Sequence, residues 1–436
     1  MNILMQRLKK CILVLALLCI VVIVIFAIIY QEKIEKHKMP PVAQVHITSD
    51  FMKDYELQWG DGYVDASIRI EDGEHDVIED VGRIKLRGNS TLEADKLSYA
   101  YKFDANVDVL GMGEGKKWVL LANAFDPTLM RNYIALYFAD KLKLNYTSEC
   151  RYADLWINDS YQGNYLMTEP VQDGENRVDI HPAAGDFLVE YEKYRDDEDD
   201  TSYILTENGY RYLIHDPKHA SEMQAEYVLD TMNQVEQVIN KVYNSSDGTD
   251  DVIDILSEVI DIDSFVDYCI FNEFIKSADM GFSSEYYYYK DGKIYAGPVW
   301  DYDLSAGNAN SSYYIHYSNL ATTGDSTQGL WISDQGKLLK ELMDCKEFED
   351  LVWKRYCDSD VQNIITDIYE DDGLIDEMLK AYGESYESNY KDAGWEEATQ
   401  YFAYAGTPLP TFEENVEYLR QWYKRRNEWL IENIGR

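Results

Sequence analysis

The 436-residue sequence is poor in the residues that staple or metallate small folds: six cysteines, seven histidines and nine prolines. Cys11 and Cys19 lie in an N-terminal apolar run, and Cys150, Cys269, Cys345 and Cys357 show no CxxC or CxH spacing. That excludes a disulfide framework and the common zinc folds. No HExxH occurs, and Pro217 between His215 and His219 argues against a helical ligand pair. Basic residues are scarce as well, 40 Lys and Arg against 80 Asp and Glu. Residues 1–38 hold six of the basic and two of the acidic ones, which leaves 34 against 78 and a net charge of −44 on the body. A field of that sign repels nucleic acid and anionic lipid and attracts basic partners.

What is present starts with "CILVLALLCIVVIVIFAIIY", residues 11–30, twenty residues without a charge and long enough to span a bilayer. The run exceeds a signal-peptide core and no A-x-A-like cleavage site follows it, so it reads as an uncleaved transmembrane signal anchor after a short basic tail, 1–10. Leu18 before Cys19 disfavours a lipoprotein. Lys33, Lys36 and Lys38 balance Arg7, Lys9 and Lys10, so charge alone leaves the orientation open. A signal anchor implies a single-pass membrane protein with an extracytoplasmic body. The 37 tyrosines suit half-buried strands, and a structural role is expected for most of them.

A charged tether, 31–41, leads into a body spanning 42–436. Alternating runs make residues 42–215 β-rich: "VAQVHI", "GYVDASIRI", "GRIKLRGNS" and "SYAYKFD". "KKWVLLANAFDPTLMRNYIALYFADKL" passes from strand through loop to helix, with Asp126-Pro127 as the predicted helix start. "ADLWINDSYQGNYLMTEPV" reads as a hairpin, and "GDFLVEYEKY" pairs with "YRYLIHD" across an acidic "RDDEDD" loop. Residues 219–244 and 251–277 read as helices, the second capped by Ser264. The chain from 335 onward is helical, ending in a helix whose Phe412, Val416, Leu419, Tyr423, Leu430 and Ile434 share a face. "GMGEGKK", 111–117, imitates a phosphate loop, but Leu110 stands where a first Gly belongs and no Ser or Thr follows the lysine, so it reads as a turn.

The chemistry concentrates in 219–308. After the helix ending near Ile275 comes Asp279. Two strand-like runs then flank Asp291-Gly292, a strong hairpin signal, and an apolar stretch runs into Asp301 and Asp303 in "GPVWDYDLSAGN". A hairpin returns the chain to its starting end, so Asp279 and the Asp301/Asp303 pair become neighbours. Strand alternation would point that pair the same way. Converging carboxylates suit a hard divalent cation, and magnesium in particular takes one or two carboxylates with substrate phosphates. The bland alternative is that the pair caps a turn. Helix, loop Asp, hairpin, Asp-aromatic is also the order of parts in protein kinases.

On "LRGNSTLEADKLSYAYKFD", "WVLLANAFDPTLMRN", "WINDSYQGNYLMTEPV", the helix carrying Glu273, "GPVWDYDLSAGN" and "KEFEDLVWKRY", the chain resembles the CotH kinase family, the spore-coat-protein-H-like atypical protein kinases, over roughly 42–436. The resemblance implies an α+β, atypical protein-kinase-like fold with a β-rich N-terminal part and a helical C-terminal part. It also implies ATP and Mg²⁺ as cofactors and phosphorylation of serine or threonine on exported, basic proteins. It makes Asp279 the catalytic-loop aspartate and Asp301 and Asp303 the metal ligands. Arg87, Lys96 and Lys102 become phosphate-binding cations, with Glu169 as a partner for one lysine. Ser284 stands where the family's metal-binding Asn is expected, with Glu285 beside it, and a serine hydroxyl is the weaker ligand. Glu285 or Asp303 would have to compensate. The rival reading is therefore a catalytically weak or inactive, pseudokinase-like surface module. A glycosidase fits less well, because two acids on one strand would not flank a bond.

Overall fold

The computed structural model describes residues 38–436 apart from 59, 89, 194–201, 244–251, 310–324, 336–337, 396–405, 407 and 435–436. The expected anchor at 11–30 and most of the acidic "RDDEDD" run lie outside the described residues. Among the described residues no helix is long and apolar enough to cross a membrane.

The N-terminal half is a closed barrel. Its strands are β1 (Ala43–Thr48), β2 (Val64–Glu71), β3 (Ile78–Arg87), β4 (Ser98–Asp108), β5 (Glu114–Leu121), β6 (Cys150–Ile157) and β7 (Ser160–Thr168), joined in the order β1-β2-β3-β4-β5-β7-β6. Alternation drives it: Ala66, Ile68 and Ile70 of β2 are buried while Asp65 and Ser67 are exposed. Ile84, Tyr101 and Trp118 face one another across β3, β4 and β5, all fully buried. Gly82 lets β4 approach, since a Cβ there would lie 2.4 Å from the Lys102 carbonyl. Closure comes from β1 running parallel to β6, Val45 opposite Leu155.

The β6–β7 hairpin turns at Asn158 and Asp159, both with positive φ, as its sequence predicts. "GMGEGKK" begins as the β4–β5 turn and ends on β5. Helix α1 (Arg131–Lys141) starts later than Asp126-Pro127 suggests. Asp126 still serves it from a distance, because its carboxylate accepts from the Arg131 N–H at 2.8 Å and holds the approach loop shut.

A second sheet contains β8 (Phe187–Tyr191), β9 (Tyr203–Leu205), β10 (Arg211–Asp216), β11 (Glu285–Lys290) and β12 (Lys293–Ala296), in the order β12-β11-β8-β10-β9. The helices of the middle segment are α2 (Glu222–Tyr243), α3 (Val252–Ser257) and α4 (Ile262–Ile275). The expected single helix over 251–277 is thus two. Its cap is Asp261, whose carboxylate accepts from the Ser264 N–H at 2.9 Å, so the predicted capping residue is the donor instead. Eleven of the fourteen α4 residues are buried, the pattern of a helix at the centre of a core.

The C-terminal part adds α5 (Ile332–Gln335), α6 (Leu338–Met343), α7 (Lys346–Tyr356), α8 (Ser359–Tyr369), α9 (Leu374–Lys391) and α10 (Phe412–Asn433), of which α5, α7 and α10 pack on α4 and α9 packs on β7. In α10 Val416, Leu419, Tyr423 and Leu430 are buried, with Phe412 and Ile434 at the edge of the same core. A Thr411/Glu414 capping box begins it. Tyrosines fill the interior as expected, with Tyr152 packed against Tyr133, Tyr382 and Tyr386.

Candidate active site

Helix α4 ends at Lys276, which takes the left-handed conformation, φ 52°, and turns the chain into the Asp279 loop. That loop is folded on itself, with the Phe282 and Ser283 amides donating to the Asp279 carbonyl at 2.9 and 3.1 Å. The β11–β12 hairpin, turning at Asp291-Gly292, then carries the chain back. The return is stitched to the departure: Ala278 N–H donates to the Leu304 carbonyl and Ala306 N–H to the Ile275 carbonyl, both at 2.9 Å. Asp279 and the Asp301/Asp303 pair are therefore neighbours.

Strand alternation is not what aims that pair. Strand β12 ends at Ala296, and Asp301 sits in a loop at φ 67°, a conformation that costs a non-glycine residue free energy and persists only where the surroundings impose it. Those surroundings are specific. Asn132 on α1 accepts the Tyr302 N–H at 2.7 Å, and Tyr302 packs edge-on against Phe271 of α4. Arg131 Nε donates to the Ser305 carbonyl at 3.0 Å, and Asn308 Nδ2 donates to the Asp303 carbonyl at 2.7 Å.

The carboxylates feel one another. Burial and then the charges of Asp301 and Glu192 push Asp279 up to about 8 from 3.8. Asp303 is pushed well above its usual range by burial and by Asp301, Asp279 and Asp126. Asp301 is raised by burial, with the Arg87 guanidinium pulling the other way and Glu190 adding to the rise. Arg87, at the end of β3 and stacked over Trp300 at 5.3 Å, is the cation that answers Asp301 and Asp303.

Of the other sequence-predicted residues, Lys102 lies half-buried on the same barrel face as Arg87. Lys96 does not join them. Its ammonium is buried, donates to the Ala122 and Asn164 carbonyls and lies 4.6 Å over Tyr165, with Asp154 as the charge it feels. Glu169 is paired with Arg177 at 3.2 Å rather than with a lysine, beside a cavity of about 130 Å³. Ser284 lies at the mouth of β11, φ 62°, its N–H donating to Glu190 Oε1 at 3.0 Å.

Glu285 is already engaged within the loop and strand. It accepts from the Gly281 N–H and from Tyr287 Oη, on the opposite strand face from Tyr286. Glu190 of β8 stands opposite Tyr286, accepts from Ser284 and lies 2.7 Å from His215 Nε2. In sequence it was one acid among several in "FLVEYEKY", and only the pairing of β8 with β11 brings it to the site. Glu192, whose charge reaches Asp279, was hidden in the same way.

Among the described residues, no three His, Cys, Asp or Glu side chains form a group able to hold a metal unaided. Magnesium does not require that many, completing its shell with water and phosphate oxygens. A buried aspartate pair with hard oxygen donors, each raised by burial and neighbouring acids, fits such an ion.

Comparison with known proteins agrees with the resemblance read from the motifs. No curated protein matches the chain. The family model described as CotH kinase protein matches residues 84–430, from mid-β3 to the last turns of α10. The chain belongs to the CotH kinase family.

Proposed function

We propose that the protein is an atypical serine/threonine protein kinase that uses ATP and Mg²⁺ to phosphorylate exported, basic proteins, anchored in the membrane by residues 11–30 with its body extracytoplasmic. The observation that carries the reading is the meeting of Asp279 with the Asp301/Asp303 pair, brought together by the Ala278–Leu304 and Ala306–Ile275 backbone hydrogen bonds, with the charge of Arg87 beside them.

In this reading Asp279 positions the substrate hydroxyl and accepts its proton as the oxygen forms its bond to the γ-phosphorus and the bond to the ADP oxygen breaks. Burial and the neighbouring acids raise its proton affinity, the direction that general-base work near neutral pH calls for. Asp301 and Asp303 would hold the ion, which supplies charge neutralisation at the transferring phosphoryl group. Arg87 offsets the charge of Asp301, and Glu190 fixes the loop through the Ser284 amide. The acid-rich body favours Lys- and Arg-rich substrates by charge.

The second reading is a pseudokinase-like binding module. Ser284 at the expected metal-binding Asn position favours it. Transfer of labelled γ-phosphate from Mg-ATP to a lysine-rich, serine-containing protein, abolished in Asp279→Asn and Asp301→Asn, supports the kinase. Nucleotide binding without transfer to any acceptor, unchanged in both variants, supports the module.

A further inference from the structure

A cavity of about 130 Å³ lies between the segment entering β6, the loop leaving β7 and Pro298, which follows β12. That is roughly ten times the space one water needs, yet below the ~300–1,000 Å³ of a cofactor pocket. It suits a small molecule and is too small for a nucleotide. Pro170, Val171, Val178 and Pro298 make part of its wall apolar, while Glu169 and Arg177 give it charge.

Arg177 and Glu169 are only 6% and 4% exposed. Arg177 Nη2 lies 3.2 Å from Glu169 Oε1, so the two pair by charge. They are not aligned as a hydrogen bond. Among the described residues neither Nη of Arg177 has a hydrogen-bond partner, and nor does Glu169 Oε1. Buried polar atoms are nearly always partnered, and leaving a buried charged group without donors or acceptors is costly. The guanidinium is nonetheless held in place. It lies over the Trp118 ring at 5.1 Å, and only a glycine at 115 leaves room for it, since a Cβ there would collide with it.

Two open Nη groups form the fork that takes a carboxylate through two parallel hydrogen bonds. A simple anion is still a poor match. Glu169 stands beside the fork and itself feels the negative charge of Glu149 and Asp108, and Glu175 lies on the exposed rim. A ligand that answers both members of the pair brings a carboxylate to Arg177 and a cationic donor to Glu169, on neighbouring atoms. An α-amino acid carries those two groups on one carbon and leaves its side chain to the proline and valine wall.

We propose that this cavity binds a free α-amino acid with a small side chain, its carboxylate on the Arg177 fork and its ammonium against Glu169. The site does not depend on the kinase reading. Pro298 places it against the segment that runs into Asp301.

The test is calorimetric and thermal-shift titration of the full-length chain with the free amino acids, and with acetate, methylamine, inorganic phosphate and ATP for comparison. Small amino acids bind, and acetate and methylamine, which make half the contacts each, bind about tenfold more weakly or worse. Arg177→Met loses about tenfold or more in affinity. Because that change also strips Glu169 of its cation, Val171→Phe serves as the second variant: it fills the cavity, keeps both charges and abolishes binding. Acetate or phosphate binding as tightly as the amino acids overturns the zwitterion. Competition by ATP overturns it too, by making the cavity part of a nucleotide site. Absence of binding by every amino acid at millimolar concentration, or binding unchanged in both variants, removes the site.

Discussion

Glu273 and Asp303 are both buried acids, close to the two ends of the same loop system, yet their surroundings differ in kind. Glu273 accepts from the Trp331 and Ile332 amides at 2.8 Å each and from Arg426 Nη2 at 2.9 Å. Arg426 is itself saturated, donating further to the Glu273, Thr327 and Gly329 carbonyls. Asp303 instead meets burial and three more carboxylates, with a backbone N–H from Leu304 and the charge of Arg87 on the other side of the balance. A buried charge with both oxygens answered by donors is part of the scaffold, whereas one left among like charges marks where a cation belongs. Helix α4 joins the two, carrying Glu273 in its last turns and Asp279 just past its end.

That contrast can be broken by mutation, most severely at the chemistry. Asp279→Asn lowers phosphoryl transfer by about 10²–10⁴-fold, the usual contribution of a positioned base; steady-state rates against a basic acceptor measure it. Arg426→Ala leaves Glu273 buried and unpaired and costs about 3–5 kcal/mol in denaturant unfolding. Arg87→Met removes the cation facing Asp301 and costs less, about 1–3 kcal/mol, with the loss larger at alkaline than at acid pH because the aspartates must be charged to miss it. Asp303→Asn has the opposite sign and stabilises the metal-free chain by about 1 kcal/mol at alkaline pH, since it relieves repulsion without removing a partner.

The pH dependence sharpens the same comparison. Asp279 rises from 3.8 to about 8, so between those values the folded protein keeps a proton that the unfolded chain has lost. Stability from this group is full below about 4 and is lost as pH rises through about 8. Glu169 and Glu236, both pushed up to about 7 by burial, act in the same direction. Thermal unfolding of the metal-free chain should therefore shift downward across that window. Added Mg²⁺ should offset the drop most at its alkaline end, because the ion binds deprotonated ligands.

Much of this was legible in the chain. Period-two alternation in "GYVDASIRI" and "SYAYKFD", and the Asn-Asp and Asp-Gly turns, are local signals, and local signals survive folding. The meeting of Asp279 with Asp301 was also legible, because a hairpin must return its end to its start. Barrel closure through β1 and β6 was not, since it joins residues more than a hundred apart with no turn to announce it. The left-handed Asp301 was missed because strand reasoning was extended past Ala296, where tertiary contacts from α1 take over. Glu190 looks like an ordinary strand-face charge, and only the pairing of β8 with β11 shows what it confronts.

The measurement that tests the central claim most directly is the thermal unfolding of full-length wild type and Asp303→Asn at about pH 8, each with and without Mg²⁺. The account predicts that Asp303→Asn is the more stable protein without metal, and that Mg²⁺ raises wild type above it while leaving the variant nearly unmoved. A variant less stable than wild type in EDTA, or one stabilised equally by Mg²⁺, would contradict a cation site at these aspartates.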